Sequence, residues 1–164
     1  MNKLVTASSV LSWINLVVWG FVCVCMLMTI PILGMAILIA AFFFSAIPLH
    51  SYAALQLHKS IRNTAVPLKR QTITGLRLMG FVALFFGITT LANGITILQN
   101  TQKMMEMEKS MMPELAKHFT EKTLRLSGIL GLLLGLCVTI NVILNFRLLR
   151  WYYLSKENMD KDNP

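Results

Sequence analysis

Residues 4–58 read LVTASSVLSWINLVVWGFVCVCMLMTIPILGMAILIAAFFFSAIPLHSYAALQLH, without one Asp, Glu, Lys or Arg. As one helix these 55 residues would extend about 80 Å, at 1.5 Å per residue. A bilayer core is only about 30 Å thick and takes roughly 20 residues to cross. The run must therefore fold back on itself. Pro31 and Gly34, near its centre, are the natural turn. Two spans follow, over about residues 10–30 and 33–55.

Two further charge-free runs, 78–102 and 126–146, predict one span each, over about 78–98 and 126–146. Composition agrees: 55% of residues are apolar and 13% charged, with a mean hydropathy of +0.64. Soluble domains are about 25% charged, and disordered chains need low hydrophobicity with high charge. The expectation is an all-α integral membrane four-helix bundle, with residues 1–164 forming a single four-span membrane domain.

The charges set the orientation. The net charge of +8 comes from 15 basic and 7 acidic residues. Ten Lys and Arg fall in the N-terminus, the connector 58–77 and the tail 147–164; five fall in the connector 99–125. Because Lys and Arg concentrate in cytoplasmic loops, both termini are expected in the cytoplasm and 99–125 outside it. Basic residues at span ends serve membrane topology, so nucleic acid is not an expected partner. Lys59, Arg62, Lys69 and Arg70, in a connector without acids, are candidate contacts for anionic lipid or a partner.

In the extracytoplasmic connector, Met104, Met107, Met111 and Leu115 recur at three- to four-residue spacing, with Phe119 beyond them. Lys103, Glu106, Ser110, Glu114, Lys117 and Glu121 fall elsewhere, an amphipathic helical pattern. Pro113 predicts two short helices broken near Met112. Met104, Met107 and Met111 are candidate lipid or partner contacts, since Met suits adaptable contact surfaces. The chain has 11 Met and three Cys, Cys23, Cys25 and Cys137. Soft sulfur ligands suit Cu(I), so copper handling is a further alternative. Cys23 and Cys25 diverge by about 200° on a helix; all three cysteines read as small apolar side chains, and no metal or cofactor site is assigned.

Within the spans, small residues recur along helical faces. Ser127, Gly131, Gly135 and Thr139 follow one another at four-residue spacing; Ala83, Gly87, Thr90 and Gly94 at spacings of four and three. Small faces allow close helix contact where lipid removes the hydrophobic drive to associate. Asn15, Asn93 and Asn141 are the costly intramembrane polar residues, because an amide in hydrocarbon needs a partner. Asn15 and Asn141 fall at similar depth and are expected to act as interhelical hydrogen-bonding groups.

Catalytic signatures are missing. Every Asp and Glu lies outside the spans, which disfavours proton-coupled transport and intramembrane aspartyl proteolysis. Neither H-E-x-x-H, G-x-S-x-G nor G-x-x-x-x-G-K-[ST] occurs. His50, His58 and His118 do not converge. His58, beside Lys59, reads as a solvated span end, and His50 as the histidine with most cause to be buried.

The stretch FFFSAIPLHSYAALQLHKSI, followed by GLRLMGFVALFFGI, resembles a group of uncharacterised bacterial small four-span membrane proteins over residues 42–88. It is also similar in outline to the two-span dispanin pattern. The resemblance implies an architecture and a bacterial cytoplasmic membrane, and no activity. The functional expectation is a non-enzymatic protein acting through helix–helix contacts. It would be an accessory or assembly subunit of a membrane complex, in contact with lipid and with other subunits or itself. The alternative is a homo-oligomeric pore or small-solute channel.

Overall fold

The structure is a computed structural model that describes residues 2–29, 36–63, 66–111 and 120–162. These residues form α1 (Asn2–Met28), α2 (Ala36–Phe44), α3 (Ala46–Arg62), α4 (Arg70–Gln99), α5 (Thr101–Met111) and α6 (Glu121–Asp162). Among the described residues, four stretches are long and apolar enough to cross a membrane: Lys3–Met28, Ile37–Arg62, Arg70–Gln99 and Glu121–Lys156. The first two extend past the expected span at one end and the last two at both ends, because helix geometry continues into flanks that hydropathy excludes. The expected turn at Pro31–Gly34 and the break at Pro113 lie outside the described residues.

Large apolar side chains face outward along every spanning helix. Phe21, Phe42, Phe81, Phe85 and Leu133 are 59–72% exposed. Patches of this extent would drive aggregation in water. In hydrocarbon they are the ordinary outer surface of a spanning helix, whose backbone groups are satisfied within the helix.

The second span is interrupted at Ser45, between α2 and α3. Pro48 explains this. It has no N–H to donate to the carbonyl of Phe44, and its ring crowds that carbonyl. Flanking bonds bridge the interruption: Ser45 N–H donates to Ala41 O at 2.9 Å, and Leu49 N–H to Ser45 O at 3.0 Å. At the far end of α3, Lys59 and Arg62 sit in the last turn, where cations complement the helix dipole. At the start of α6, Thr120 Oγ1 accepts from Thr123 N–H at 3.2 Å, capping an otherwise unpaired donor. Glu121 and Arg125 form an exposed ion pair at 2.9 Å one turn in.

The chain falls into two compact units, Met1–Leu84 with Val138–Pro164, and Phe85–Cys137. In the first, Val5 of α1, Ala53, Ala54 and Leu57 of α3, Leu76 of α4, and Leu148 and Leu149 of α6 share one buried cluster. α3 belongs to the most buried of the four spans. In the second unit, α4 and α6 meet through glycines. A Cβ at Gly94 would lie 2.9 Å from Gly128 O, and one at Gly135 2.9 Å from Gly87 O. Only a missing side chain permits that approach, which lets van der Waals contact act between backbones.

Candidate functional site

The buried polar groups of the first unit form a connected network between α1, α3 and α6. On α1 the buried residues are Val5, Ser8, Ser12, Asn15 and Trp19. Their spacing of three and four residues is that of a helix seam facing a partner. On the part of α6 that belongs to the first unit, the buried set is Val138, Asn141, Val142, Asn145, Leu148 and Leu149, with the same alternation. Most polar positions of the two seams are opposed.

Asn145 is the hub. Its Oδ1 accepts from Ser8 Oγ at 2.7 Å and from His58 Nε2 at 2.9 Å. Its Nδ2 donates to Asn141 Oδ1 at 3.1 Å and to Ser12 Oγ at 3.4 Å. Ser12 Oγ in turn donates to Asn141 Oδ1 at 3.0 Å. Both Asn145 oxygen lone pairs and both amide hydrogens are thereby engaged. This full satisfaction makes so many polar atoms tolerable in an apolar interior.

His58 is 2% exposed, which corrects the reading of it as a solvated span end. The neighbouring Lys59 is exposed. One residue is 100° of helix rotation, enough to turn one side chain inward and the next outward. Since His58 donates from Nε2, its Nδ1 carries a bare lone pair, and that atom is buried without a partner among the described residues.

His50 is buried two turns earlier on the same helix. Its Nδ1 donates to Leu76 O at 3.0 Å, so a backbone carbonyl takes the place of an acidic partner. Gly80 makes this possible. A Cβ there would lie 2.9 Å from His50 Nδ1 and 2.7 Å from two Phe146 ring atoms. The imidazole stands edge-on to Phe146 at 6.0 Å between centroids. His50 Nε2 and Ser51 Oγ are buried without a hydrogen-bond partner among the described residues.

The expected site residues fall in three settings. Gly87, Gly94, Gly131 and Gly135 lie in the glycine seam of the second unit. Ser127 does not; it is exposed, and its hydroxyl donates to Leu124 O at 2.8 Å. Gly128 stands in the seam instead, against Leu98 and Ile97. Ala83 is fully buried in the first unit, and Thr139 Oγ1 is buried there without a partner among the described residues. Asn15 and Asn141 are buried, whereas Asn93 is exposed. Lys59, Arg62, Lys69 and Arg70 are all exposed. Met104 is half-buried and Met107 45% exposed, so those two do not share one sheltered face of α5. The Met111 side chain, Met112 and Phe119 lie outside the described residues. Cys23 and Cys137 are half-buried and Cys25 is exposed.

Among the described residues, no group of three or more His, Cys, Asp or Glu is placed to hold a metal ion. The hydrogen bonds of Asn145 join α1, α3 and α6. The chain matches no protein-family model, no curated protein and no solved structure.

Proposed function

We propose that this protein is a non-enzymatic membrane subunit that acts through contacts between spanning helices, as an accessory or assembly component of a larger complex. One observation carries the reading. Asn93, in the second unit, exposes its amide on the apolar helix α4, with no hydrogen-bond partner among the described residues. It sits six residues before the helix end, about 9 Å of rise. Its side chain is too short to reach water by extending along the helix. Phe85, Ile88 and Ile95 are exposed on the same helix.

An amide left unbonded in hydrocarbon costs roughly 2–7 kcal/mol. A partner helix removes that cost. The neighbouring exposed residues fit such a contact. Ala92 and Thr96 are small, and Thr96 Oγ1 already donates to Ala92 O at 2.9 Å. They permit close approach while Asn93 supplies the directional bond.

The orientation is part of the proposal. The ten basic residues of the N-terminus, connector 58–77 and tail place both termini in the cytoplasm and α5 outside it. The resemblance over residues 42–88 adds the bacterial cytoplasmic membrane as the location. Labelling Lys59→Cys and Ser110→Cys with an impermeant maleimide in intact cells tests the orientation. Position 110 is expected to react and 59 not; the reverse overturns it.

The functional test is purification from native membranes in mild detergent, followed by native mass spectrometry of the natural protein and Asn93→Leu. A heteromeric species of fixed stoichiometry is expected, dissociating in the variant. A bare monomer in both, or a complex indifferent to Asn93, overturns the reading. A homo-oligomer that depends on Asn93 transfers the contact to a second copy of this chain and defeats the accessory-subunit role.

A further inference from the structure

Arg77 of α4 and Arg150 of α6 flank an open groove of about 440 Å³ in the first unit. Between them the lining is aromatic and aliphatic, with Phe81, Phe146, Leu149 and Tyr153. Both arginines are exposed, and among the described residues neither meets a carboxylate. The Arg77 guanidinium carbon stands 5.5 Å from the centroid of the Tyr153 ring. That cation–π contact holds it at the groove without using its hydrogen-bond donors.

The position of the two cations along the chain matters. Arg77 immediately precedes the charge-free run 78–102, and Arg150 follows shortly after the run 126–146. Each stands where an apolar helix segment gives way to polar sequence, the level at which long cationic side chains meet headgroups. Phe81 lies one turn from Arg77 and Phe146 one turn from Arg150, both toward the apolar segments. Their rings are 5.4 Å apart between centroids. The groove thus has positive charge at one end and hydrocarbon at the other. Its complement is an amphiphile with an anionic head.

We propose that this groove holds one anionic glycerophospholipid, with its phosphate between the guanidiniums of Arg77 and Arg150 and an acyl chain along Phe81 and Phe146. Guanidinium suits this task better than ammonium. Its planar fork bonds phosphate oxygens in pairs and is weakly hydrated. Lys59, Arg62, Lys69 and Arg70 are exposed surface cations and are not among the residues that line this groove.

The experiment uses the full chain, purified in detergent and exchanged into mixed phosphatidylglycerol and phosphatidylcholine. Retained lipid is read by native mass spectrometry. One phosphatidylglycerol is expected to persist at activation energies that strip phosphatidylcholine. A surface cation contributes about fivefold to anionic-lipid binding, so Arg77→Gln with Arg150→Gln is expected to lower retention by about tenfold or more. Lys69→Gln with Arg70→Gln makes the same charge change away from the groove and is expected to lower retention by clearly less than the groove variant. Arg77→Lys with Arg150→Lys keeps the charge but removes the planar fork and is expected to lower retention by severalfold. Equal retention of the two lipids overturns the site. So does an equal loss in the Lys69/Arg70 variant, or full retention in the double-lysine variant.

Discussion

His58 and Asn145, 87 residues apart in sequence, are joined by a buried hydrogen bond of 2.9 Å from Nε2 to Oδ1. The bond ties α3 to α6 at the oxygen that also receives Ser8 of α1. Three helices therefore depend on one side-chain amide. In lipid, where burying apolar surface gives no preference between a neighbouring helix and a lipid tail, such a polar junction fixes register.

Removing the hub strands its partners. Asn145→Leu leaves the donors of Ser8 and His58 buried without acceptors, a loss of about 1–3 kcal/mol each way the network is cut. Ser8→Ala removes one bond and is expected to cost about 0.6 kcal/mol, the typical value for a bond between membrane helices. In a double-mutant cycle followed by denaturation in mixed micelles, Ser8→Ala should cost markedly less in the Asn145→Leu background. Strict additivity would show that the two residues do not communicate.

The glycine seam yields an order of costs. A Cβ at Gly135 meets backbone, Gly87 O and Leu91 N, at 2.9 Å, and one at Gly94 meets Gly128 O at 2.9 Å and Leu132 N at 3.0 Å. Backbone cannot yield locally, so Gly135→Ala and Gly94→Ala must push α4 and α6 apart, at about 1–3 kcal/mol. At Gly128 the nearest atoms belong to Leu98 and Ile97 side chains, at 3.0–3.2 Å, and a smaller loss is expected. At Gly131 the nearest atoms stand at 3.7 Å, ordinary contact. Gly131→Ala should be neutral or gain up to about 1 kcal/mol in helix propensity. Thermal unfolding of the four variants in detergent checks the order. Equal losses at Gly131 and Gly135 would contradict the close approach.

These two seams mark what sequence could and could not convey. The spans were legible because a charge-free run of 20 or more residues has few alternatives to crossing a membrane. The glycine seam was legible in outline, but a strict four-residue spacing advances 400°, so each step drifts 40° from the face. Over Ser127 to Thr139 the drift reaches about 120°, which is why Ser127 points outward and Gly128 takes its place. Asn141 was legible as a costly amide, as was the buried Asn15, but the other members of the network, Ser8, Ser12, His58 and Asn145, were not. Ser8 and His58 stand at span ends, where polar residues read as solvated. The three-four alternation from Val5 to Trp19 was the signal that carried the inward face of α1. The interruption at Ser45, three residues before Pro48, was not anticipated, although it follows from that proline's missing N–H.

Gly80 offers the sharpest test of the His50 contact. The atoms a Cβ would meet belong to side chains, Phe146 and His50, at 2.7–2.9 Å. Gly80→Ala should therefore displace the Phe146 ring or pull His50 Nδ1 away from Leu76 O. Losing that bond leaves a second ring nitrogen of His50 buried and unpaired, and crowding adds to the loss, for about 1–3 kcal/mol in total. Phe146→Leu shortens the ring that the new methyl strikes. In the Gly80→Ala background it is expected to restore part of the lost stability, whereas alone it only removes packing. The imidazole proton gives an independent readout. Its Nδ1–H resonance, shifted by the bond to Leu76 O, should move in Gly80→Ala and return toward its original position in the double variant. A Gly80→Ala protein with unchanged unfolding temperature and an unchanged His50 resonance would show that α4 does not need its bare backbone at this turn.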